Sequence, residues 1–413
     1  MKILVVTARY YPEQFSIVNI CEEFIRLGHE VTVVTGKPNY GYWKIVEGYE
    51  NINEEEINGV KVIRLNELAR KKGAIGLLRN YHSINKIYAR FYKKHKGDYD
   101  VVLSHVISPI FTMRGLKQFC KKNNLPHVHY GLDLWPESLI AASYFKRNNP
   151  FFNIMKRYSK KLYSSVDYMT FASPSVEAYF RNYLKLKNLR FKHIYQPTLT
   201  IKPDLEIVRN KEYKTDGKIS ILYIGSIARF HRLELFLEAL EHYNKLHITP
   251  IRFDVVGSGS ELDNLKNKVK ELGIENYVTF HGRVPVAETR KYMLNADVLY
   301  VPLYNNSATS KMIPQKLIEY LMYNRPIMGM ITGDGKKILE DASSYNIICD
   351  QSIEGLIKGL KKVENQKENF KRWGDDNRQY FDLTKRFLLP TITQELLEVC
   401  NIVVEEKSKK HVN

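Results

Sequence analysis

The stretch 218–244, KISILYIGSIARFHRLELFLEALEHYN, decides the fold of this chain. Its first eight residues have the composition of a buried β-strand that ends at Gly225, and its second half has the apolar spacing of an amphipathic helix. The same strand-then-helix order opens the chain, with KILVVTA at 2–8 and IVNICEEFIRLGH at 17–29. Because the α/β series begins twice, the sequence predicts two Rossmann-like, doubly wound domains with parallel sheets.

Further apolar runs fill in both series. We expect strands at EVTVVTG (30–36), DVVLSH (100–105) and HVHYG (127–131), and then at IRFDVVGSG (251–259), YVTFHG (277–282), DVLYVPL (297–303) and PIMGMI (326–331). The predicted organisation is an N-terminal domain at 1–195, a linker at 196–217, a C-terminal domain at 218–380 and a helix at 381–405 that returns to the first domain. Such sheets bind ligands beyond the carboxyl ends of their strands, so we expect the two domains to face a central cleft.

The composition limits the partners and the cellular compartment. The 413 residues include 63 Lys and Arg against 45 Asp and Glu, which gives a formal charge of +18 and favours phosphate groups, nucleic acid or an anionic membrane surface. The four cysteines are scattered, which suggests neither a zinc site nor a disulfide framework and fits a reducing cytoplasm. The start MKILVVTARYY is predicted to be a buried strand. The sequence contains no apolar run of about 18 residues, so we expect no membrane span.

The segment SKMIPQKLIEYLMYNRP (310–326) contains a helix start without a capping residue. Pro314 is predicted as the first helical residue, and no Ser, Thr, Asp or Asn stands directly before it. Free N–H groups beside Lys311 and Lys316 would bind an anion such as phosphate, and Glu319 could accept hydrogen bonds from sugar hydroxyls. The alternative is a surface helix with an ordinary Lys316–Glu319 pair.

The turn YIGSIARFHRLE (223–234) is a second candidate for ligand contact. Gly225 would let the backbone approach a ligand closely, with Arg229 and His231 nearby, although a solvated basic turn explains the same residues. The following VVGSGSE has Leu262 where a dinucleotide fingerprint requires its third glycine. A Rossmann oxidoreductase is therefore not expected.

A basic segment at 68–97 holds nine Lys and Arg and no acidic residue. Its apolar residues recur at helical spacing, at Leu77, Tyr81, Ile84, Tyr88 and Phe91. Two interpretations remain open, namely an amphipathic helix on an anionic membrane and a helix whose apolar stripe packs on the first sheet. No nucleic-acid-binding motif supports nucleic acid as a partner.

Two acidic motifs have both a functional and a structural interpretation. Asp98 and Asp100 resemble a DxD metal motif, yet two carboxylates without further ligands make a poor site and Asp100 also suits a strand entry. HYGLDLWPESL (129–139) follows a strand, where loops often carry function. Alternatively, Trp135 belongs to the core and Asp133 caps a helix.

An ordered set of segments resembles the family-4 glycosyltransferases of the GT-B fold, and within them the WbuB-like bacterial capsule and O-antigen sugar transferases. The resemblance lies in YYPEQFSIVNI, GHEVTVVTGKPNYGYWKIVEGY, DLWPESL, VGSGSELDNLK, FHGRVPVAE, ADVLYVPL and IPQKLIEYLMYNRPI. These segments span most of the chain in the family's order.

The resemblance implies a set of site residues. It places the donor nucleotide sugar at Gly225, Ser226, Arg229, Arg283, Lys311, Ile313, Lys316 and Glu319, and the acceptor at Tyr11, Glu13, Tyr40 and Trp135. The catalytic residues would be Asp133, Arg229 and Lys316, with no metal. The chain departs from the family in having Lys311 at the first Glu of the E-x7-E motif, His231 in place of a Lys, and Leu132 in place of the catalytic His.

The implied activity is a retaining, metal-independent hexosyl transfer without a cofactor. A UDP-sugar would donate to a lipid-linked saccharide during capsule, O-antigen or exopolysaccharide synthesis, on the inner face of the cell membrane, with the protein cytoplasmic and peripherally bound through 68–97. The alternatives are a UDP-sugar 2-epimerase-like or phosphorylase-like GT-B enzyme and a non-catalytic nucleotide-sugar-binding partner of a transferase.

Overall fold

The computed structural model describes residues 1–40, 43–71, 73–141, 147–199, 218–246, 249–305 and 309–412. The chain forms two compact units. The first comprises Met1–Ile140, Tyr144–Leu199 and Phe387–Asn413, and the second comprises Ala141–Ser143 and Thr200–Arg386. Most of the predicted linker, 200–217, lies outside the described residues.

The first unit contains an eight-stranded sheet in the order β3-β4-β2-β1-β5-β6-β7-β8. All neighbours are parallel except the antiparallel pair β3 and β4. The strands are β1 (Lys2–Val6), β2 (Glu30–Gly36), β3 (Glu54–Ile57), β4 (Val60–Leu65), β5 (Val101–Val106), β6 (His127–Gly131), β7 (Tyr168–Phe171) and β8 (Phe191–His193). The strand order reverses between β1 and β5, which creates a crevice at the carboxyl end of that pair.

Helices cover both faces of the first sheet. They are α1 (Ser16–Arg26), α2 (Gly73–Lys94), α3 (Leu116–Lys122), α4 (Glu137–Ala141), α5 (Pro150–Tyr163) and α6 (Val176–Ala178). Alternate residues of β1 belong to two different apolar clusters. Leu4 and Val6 pack with α2 and α3, whereas Ile3 and Val5 pack with α1.

The second unit contains a parallel six-stranded sheet in the order β11-β10-β9-β12-β13-β14. Its strands are β9 (Ile219–Ile224), β10 (Ile251–Val256), β11 (Val278–Gly282), β12 (Val298–Pro302), β13 (Ile327–Met330) and β14 (Ile347–Ile348). Its helices are α7 (Leu233–Leu246), α8 (Leu262–Leu272), α9 (Val286–Asn295), α10 (Gln315–Tyr320), α11 (Gly333–Ala342), α12 (Ile353–Asn365) and α13 (Phe370–Thr384). The order reverses between β9 and β12.

The last helix, α14 (Leu389–Val412), belongs to the first unit. Ile392, Leu396 and Val399 are fully buried in the cluster that contains α1. The predicted helix at 381–405 is therefore wrong in its extent: α13 ends at Thr384, and Lys385 adopts a left-handed φ of 53° before α14 begins.

One helical stretch of the described chain, Lys367–Lys409, is long and apolar enough to cross a membrane by length and composition alone. Trp373 is buried within the core of the second unit, and Leu396 within the core of the first. Buried core helices of globular proteins pass the same criterion, and 44% of the apolar 18-residue window in this stretch is buried.

Candidate functional site

Two turns of the second unit meet at the crevice beside β9. The turn that follows β9 and the segment that follows β12 are joined by a hydrogen bond from the Tyr304 amide to the Phe230 carbonyl, at 2.9 Å. The Arg232 guanidinium also lies 4.8 Å from the centre of the Tyr304 ring. Because the strand order reverses here, this edge is where a sheet of this type binds its ligand.

Gly225 forms the floor of this crevice. Its φ is +141°, a conformation that side chains other than glycine rarely adopt. A Cβ atom added at this position would lie 2.9 Å from the Lys316 Nζ atom. The glycine predicted from the sequence is therefore needed both for its backbone conformation and for the close approach of Lys316.

The Lys316 ammonium is buried without an anionic partner. Its Nζ atom lies 3.8 Å from the centre of the Tyr223 ring and has no hydrogen-bond partner among the described residues. Burial lowers the pKa of the Lys316 ammonium well below its ordinary range. A buried cation without a counter-charge is costly, and a bound anion would remove that cost.

His231 lies behind the same lysine. Its Nδ1 atom is 3.0 Å from the Tyr223 hydroxyl, which in turn donates a hydrogen bond to the Ser226 carbonyl. Burial lowers the pKa of His231 well below its usual range, and the nearby Lys316 charge lowers it further. His231 is therefore neutral here and cannot supply the second positive charge that a Lys at its position would bring.

The helix predicted after Lys311 is shorter than its apolar spacing indicates. The prediction that Pro314 is the first helical residue is wrong, because Pro314 has an extended ψ of 134° and precedes α10. No side chain caps α10, and the helix continues only as a 3-10 turn at Leu321–Tyr323 before Asn324 turns left-handed. A helix of six residues has a weak dipole, so positive charge at this edge depends on side chains, namely the exposed Arg229 and Lys316 in its protonated form.

The other residues predicted at the donor site differ in exposure. Ser226, Arg229 and Arg283 are exposed, whereas Ile313 and Glu319 are 7% and 8% exposed. The Glu319 carboxylate accepts a hydrogen bond of 3.3 Å from the Gln315 side chain. Lys311 is half-buried and interacts within the protein.

In the first unit, a buried polar network lies beyond the ends of β1, β2 and β4. The Arg9 guanidinium pairs with the Glu67 carboxylate at 3.1 Å, and the Asn39 side chain donates to the same carboxylate at 3.0 Å. Burial raises the pKa of the Glu67 carboxyl, and Arg9 acts in the opposite direction. Because all three side chains are almost fully buried, the network fixes the loops at this edge of the sheet.

This network holds two of the predicted acceptor residues in place. The Glu13 carboxylate accepts hydrogen bonds from the backbone amides of Asn39, at 2.7 Å, and Tyr40. Glu13 is 6% exposed, whereas Tyr40 and Tyr11 are 45% and 44% exposed. Glu13 therefore positions the loop, and the two tyrosine rings are available to a ligand.

Asp133 follows β6 and is half-buried. Burial raises the pKa of its carboxyl to about 6. Desolvation raises the pKa of the Tyr40 hydroxyl, and the Asp133 charge raises it further. Asp133 precedes α4 (Glu137–Ala141) by several residues, so the interpretation of Asp133 as a helix cap is wrong.

Trp135 lies in the core and not on the surface. It is 1% exposed, its ring packs against Phe111 and Tyr81, and its Nε1 donates to the Ser108 hydroxyl at 2.6 Å. The core interpretation of Trp135 therefore holds, and direct contact with a saccharide would require this residue to move.

Asp98 and Asp100 both contact Lys2. The Lys2 ammonium pairs with Asp98 at 2.6 Å, and the Lys2 backbone amide donates to Asp100 at 2.7 Å. Across the described part of the chain, no group of three or more His, Cys, Asp or Glu side chains could hold a metal ion. The strand-entry interpretation of Asp100 is thus confirmed by its contacts.

Two family descriptions match successive parts of the chain. Glycosyltransferase Family 4 matches residues 14–198, and Glycosyl transferases group 1 matches residues 204–380. The chain belongs to the family-4 glycosyltransferases. This confirms the predicted family and enzyme class, and the two parallel sheets confirm the predicted GT-B fold.

Relatives and solved structures agree with this assignment. The glycosyltransferase is 27% identical over 177 residues to an uncharacterized glycosyltransferase of Haemophilus influenzae, an alignment that covers 43% of this chain and about half (48%) of that relative. It is 22% identical to a protein of Escherichia coli K12 named as a colanic acid biosynthesis glycosyl transferase, WcaI, over 88% of this chain and 92% of the relative.

Solved structures of other proteins superpose on nearly the whole length of this glycosyltransferase. WaaG, a glycosyltransferase involved in lipopolysaccharide biosynthesis, superposes with a TM-score of 0.70 at 16% identity, covering 97% of this chain and 99% of WaaG. Anabaena HepE, solved with UDP and glucose, superposes with a TM-score of 0.67 at 13% identity, with coverage of 97% and 99%. At these identities the likeness establishes the fold alone.

Sequence reasoning about this glycosyltransferase missed Arg9, Asn39 and Glu67. Arg9 lies in the loop after β1, which ends at Val6, and a charged residue just beyond the carboxyl end of a buried strand was the available signal. Its pairing with Glu67, which follows β4, is a contact between distant segments that no local pattern indicates. No local pattern in the sequence indicated that the Ser104 hydroxyl forms hydrogen bonds with two buried histidines, His127 and His129.

Proposed function

We propose that this glycosyltransferase moves a sugar from a UDP-sugar to a lipid-linked saccharide during the assembly of a bacterial surface polysaccharide, at the inner face of the cell membrane. The observation that carries the proposal is the Lys316 amino group, which is buried against Gly225 and has no hydrogen-bond partner in the described part of the chain. A nucleoside diphosphate is an anion of suitable charge, and the site lies where sheets of this kind bind nucleotides.

The donor would be held by three groups of different chemistry. The backbone of Gly225 approaches the diphosphate, and the Lys316 ammonium neutralises the charge that develops on it as the sugar leaves, together with the exposed Arg229. Glu319 accepts hydrogen bonds from the ribose hydroxyls. HepE was solved with UDP, which supports uracil as the base by analogy.

The acceptor would be bound by the first unit. The exposed rings of Tyr11 and Tyr40 offer surfaces on which sugars stack, while Glu13 holds the loop from below. Asp133, with its pKa near 6, is largely ionised at pH 7 and can accept a hydrogen bond from an acceptor hydroxyl. WcaI is named for colanic acid synthesis, which supports a polysaccharide as the product.

We propose retention of configuration without a metal ion or cofactor. Cationic side chains supply the positive charge that a metal would bring to the leaving diphosphate. In front-face transfer, the acceptor oxygen forms the new bond on the face from which the diphosphate leaves, and a diphosphate oxygen takes the acceptor proton. No second carboxylate acting as nucleophile is required.

The deciding experiment is thermal stabilisation by nucleotides. Saturating UDP should stabilise the protein, since a ligand at 100 times its dissociation constant adds about 2.7 kcal/mol, whereas GDP, ADP and CMP should not. Lys316→Met should abolish the UDP shift and leave the unliganded protein no less stable, because an unpaired buried ammonium is removed.

Lys336→Met is the matched control. Lys336 is 44% exposed and pairs with Glu340 on α11, so its replacement should leave the UDP shift unchanged. An equal UDP shift in wild type and Lys316→Met would remove Lys316 from the site. No shift with any nucleotide would contradict the proposed donor altogether.

Two alternatives make different predictions with the same protein. A 2-epimerase-like enzyme would release UDP from a UDP-sugar without any acceptor. A non-catalytic partner, which Lys311 in place of the family Glu would suit, would bind UDP without turnover when supplied with a lipid-linked acceptor.

A further inference from the structure

A cavity opens between α2 and α5 in the first unit. Its volume is about 540 Å³, within the roughly 300–1,000 Å³ of ligand pockets. Its wall is mainly apolar, with Leu77, Leu78, Phe111, Trp135, Leu139 and Met155 among the lining residues. A cavity of this size and character suits an apolar ligand.

Two polar side chains of the wall are hydrogen-bonded within the protein, and the exposed His82 also lines the cavity. Trp135 Nε1 donates to the Ser108 hydroxyl at 2.6 Å, and the Tyr158 hydroxyl donates to the Asn85 side chain at 3.1 Å. A sugar would find few groups with which to exchange its hydrogen bonds to water, and its burial here would be unfavourable. The wall therefore selects for hydrocarbon.

Most of the predicted apolar stripe of α2 packs inside the first unit, and two of its residues, Leu77 and Tyr81, line the cavity. Leu77 and Tyr81 are 3% and 8% exposed, and Ile84 and Tyr88 are fully buried, which confirms that the stripe packs inside the first unit. Other apolar residues on α2, on α5 and just before α2 are exposed, at Leu68, Ile75, Leu78, Phe151 and Ile154. Leu78 and Phe151 both line the cavity and are 47% and 38% exposed, so it opens onto this patch.

Positive charge surrounds the patch on both flanking elements. The segments 68–97 and 138–166 carry nine and six Lys and Arg and contain no Asp or Glu. On α2, Arg79 and Lys86 are exposed, and on α5, Arg157 and Lys161 are exposed. Lys161 follows the exposed Ile154 by seven residues, two helical turns, and so lies on the same side of α5. An apolar opening with cationic flanks matches a molecule with a hydrocarbon chain and an anionic head group.

We propose that this cavity takes one acyl chain of an anionic bilayer phospholipid, so that α2 and α5 dock on the membrane together. The head-group phosphate lies among the Lys and Arg side chains of α2 and α5. The exposed apolar side chains of the patch enter the membrane interface beside it. The inference shares with the proposed function only the expectation that the protein meets an anionic membrane, and it does not depend on sugar transfer.

The test uses the fluorescence of Trp135, which lines the cavity. The full-length protein is mixed with phosphatidylglycerol vesicles whose acyl chains carry bromine, which quenches tryptophan fluorescence at short range. Brominated chains should quench part of the emission, and Trp135→Phe should remove that part. Vesicles of brominated phosphatidylcholine, which has no net charge, should bind weakly and quench little.

Two matched variants test the opening and the charge. Leu78→Glu should reduce vesicle binding several-fold, whereas Leu246→Glu, at a site 77% exposed in the second unit, should not. Lys161→Glu should weaken binding by at least about fivefold, the effect of one basic residue near the membrane surface. Lys336→Glu is its control.

Three results would overturn the proposal. The first is no binding to phosphatidylglycerol. The second is binding with quenching that Trp135→Phe leaves unchanged, which would show adsorption without chain entry. The third is Trp135 quenching only by a brominated isoprenyl phosphate, which would assign the cavity to the acceptor's own chain. In each of these cases, thermal stabilisation by UDP that persists would show that the proposed donor site is unaffected by the failure of the lipid proposal.

Discussion

At position 225 the main chain lies against the Lys316 ammonium with no room for a side chain. The Tyr223 ring supports the same ammonium from one side at 3.8 Å. The lysine is thus held at the crevice by packing, before any ligand arrives. Such preorganisation reduces the cost of ordering the side chain on binding.

Gly225→Ala tests this arrangement. The new Cβ would meet Lys316 Nζ at 2.9 Å in an unfavourable backbone conformation, so we expect the variant to lose about 1–2 kcal/mol of stability and most of its UDP binding. Urea unfolding and nucleotide titration measure the two effects.

Gly273→Ala separates the two causes. Gly273 has a φ of +65°, and a Cβ there would meet nothing within 4 Å. This control should lose about 1 kcal/mol of stability and keep full UDP binding. Equal UDP affinity in Gly225→Ala and wild type would show that UDP binding does not require the close approach of residue 225 to Lys316.

At the residue scale, the sequence could predict groups that belong to one turn or one helix. Gly225 and Lys316 were identifiable because each lies at a recognisable strand end or helix start. Arg9 and Glu67 were not, because their pairing joins segments 58 residues apart in the chain. Their burial depends on tertiary packing, and so do the hydrogen bonds that Glu13 accepts from backbone amides.

At the scale of elements, the predicted strands agree with the observed ones to within a few residues, because buried parallel strands form continuous apolar runs. Five strands were not predicted, namely β3, β4, β7, β8 and β14. The antiparallel strand β3, with the sequence EEEI, is acidic and lies at the sheet edge. Helix α10 was predicted too long. Its apolar residues continue through the 3-10 turn, which periodicity does not distinguish from α-helix.

Strands β5 and β6 carry three fully buried histidines. The Ser104 hydroxyl pairs with His127 Nε2 at 2.7 Å and His129 Nδ1 at 3.0 Å, and Thr7 pairs with His105 Nδ1 at 3.2 Å. Burial lowers the pKa of His105 to about 3 and of His127 to about 4, and lowers that of His129 well below its usual range. All three are neutral in the folded state at pH 7.

Acid should therefore unfold the first unit early. Below pH 6.5, the ordinary pKa of about 6.5 lets histidines of the unfolded chain bind protons, whereas the buried histidines of the folded protein stay neutral. The free energy of unfolding therefore has its full value above pH 6.5 and falls as the pH approaches 4 and 3. Each histidine contributes up to about 1.4 kcal/mol per pH unit in this window. Urea unfolding between pH 7.5 and 4.5 measures the slope.

His127→Gln should reduce this slope by about a third, although it also costs packing at pH 7.5. The exposed His242 provides the control, and His242→Gln should leave the slope unchanged. A stability that is flat between pH 7 and 5 would contradict the assignment of neutral buried histidines.

At the scale of the whole molecule, the two ends of the chain belong to the same unit. Helix α14 contacts α1, β5 and β6, and its surface also pairs Glu398 with Lys192 at 3.1 Å. The Thr198 amide donates to the Phe387 carbonyl at 3.1 Å. The first unit therefore completes its core with residues nearly 200 positions further along the chain.

Leu396→Ala tests this completion of the core. Leu396 is fully buried, so its truncation should cost about 2–5 kcal/mol and destabilise the first unit. Ile402→Ala, on the same helix but 40% exposed, should cost no more than about 0.5 kcal/mol. Chemical unfolding of both variants gives the comparison, and similar losses would show that the helix packs loosely.

The position of α14 also determines the order in which a growing chain can fold. A ribosome translates the first unit first but delivers its last helix only at the end, after the whole second unit has emerged. The half that is translated second can therefore complete its core before the half that is translated first. A premature stop codon anywhere before Leu389 would leave the opening 199 residues with the apolar face of α1 uncovered.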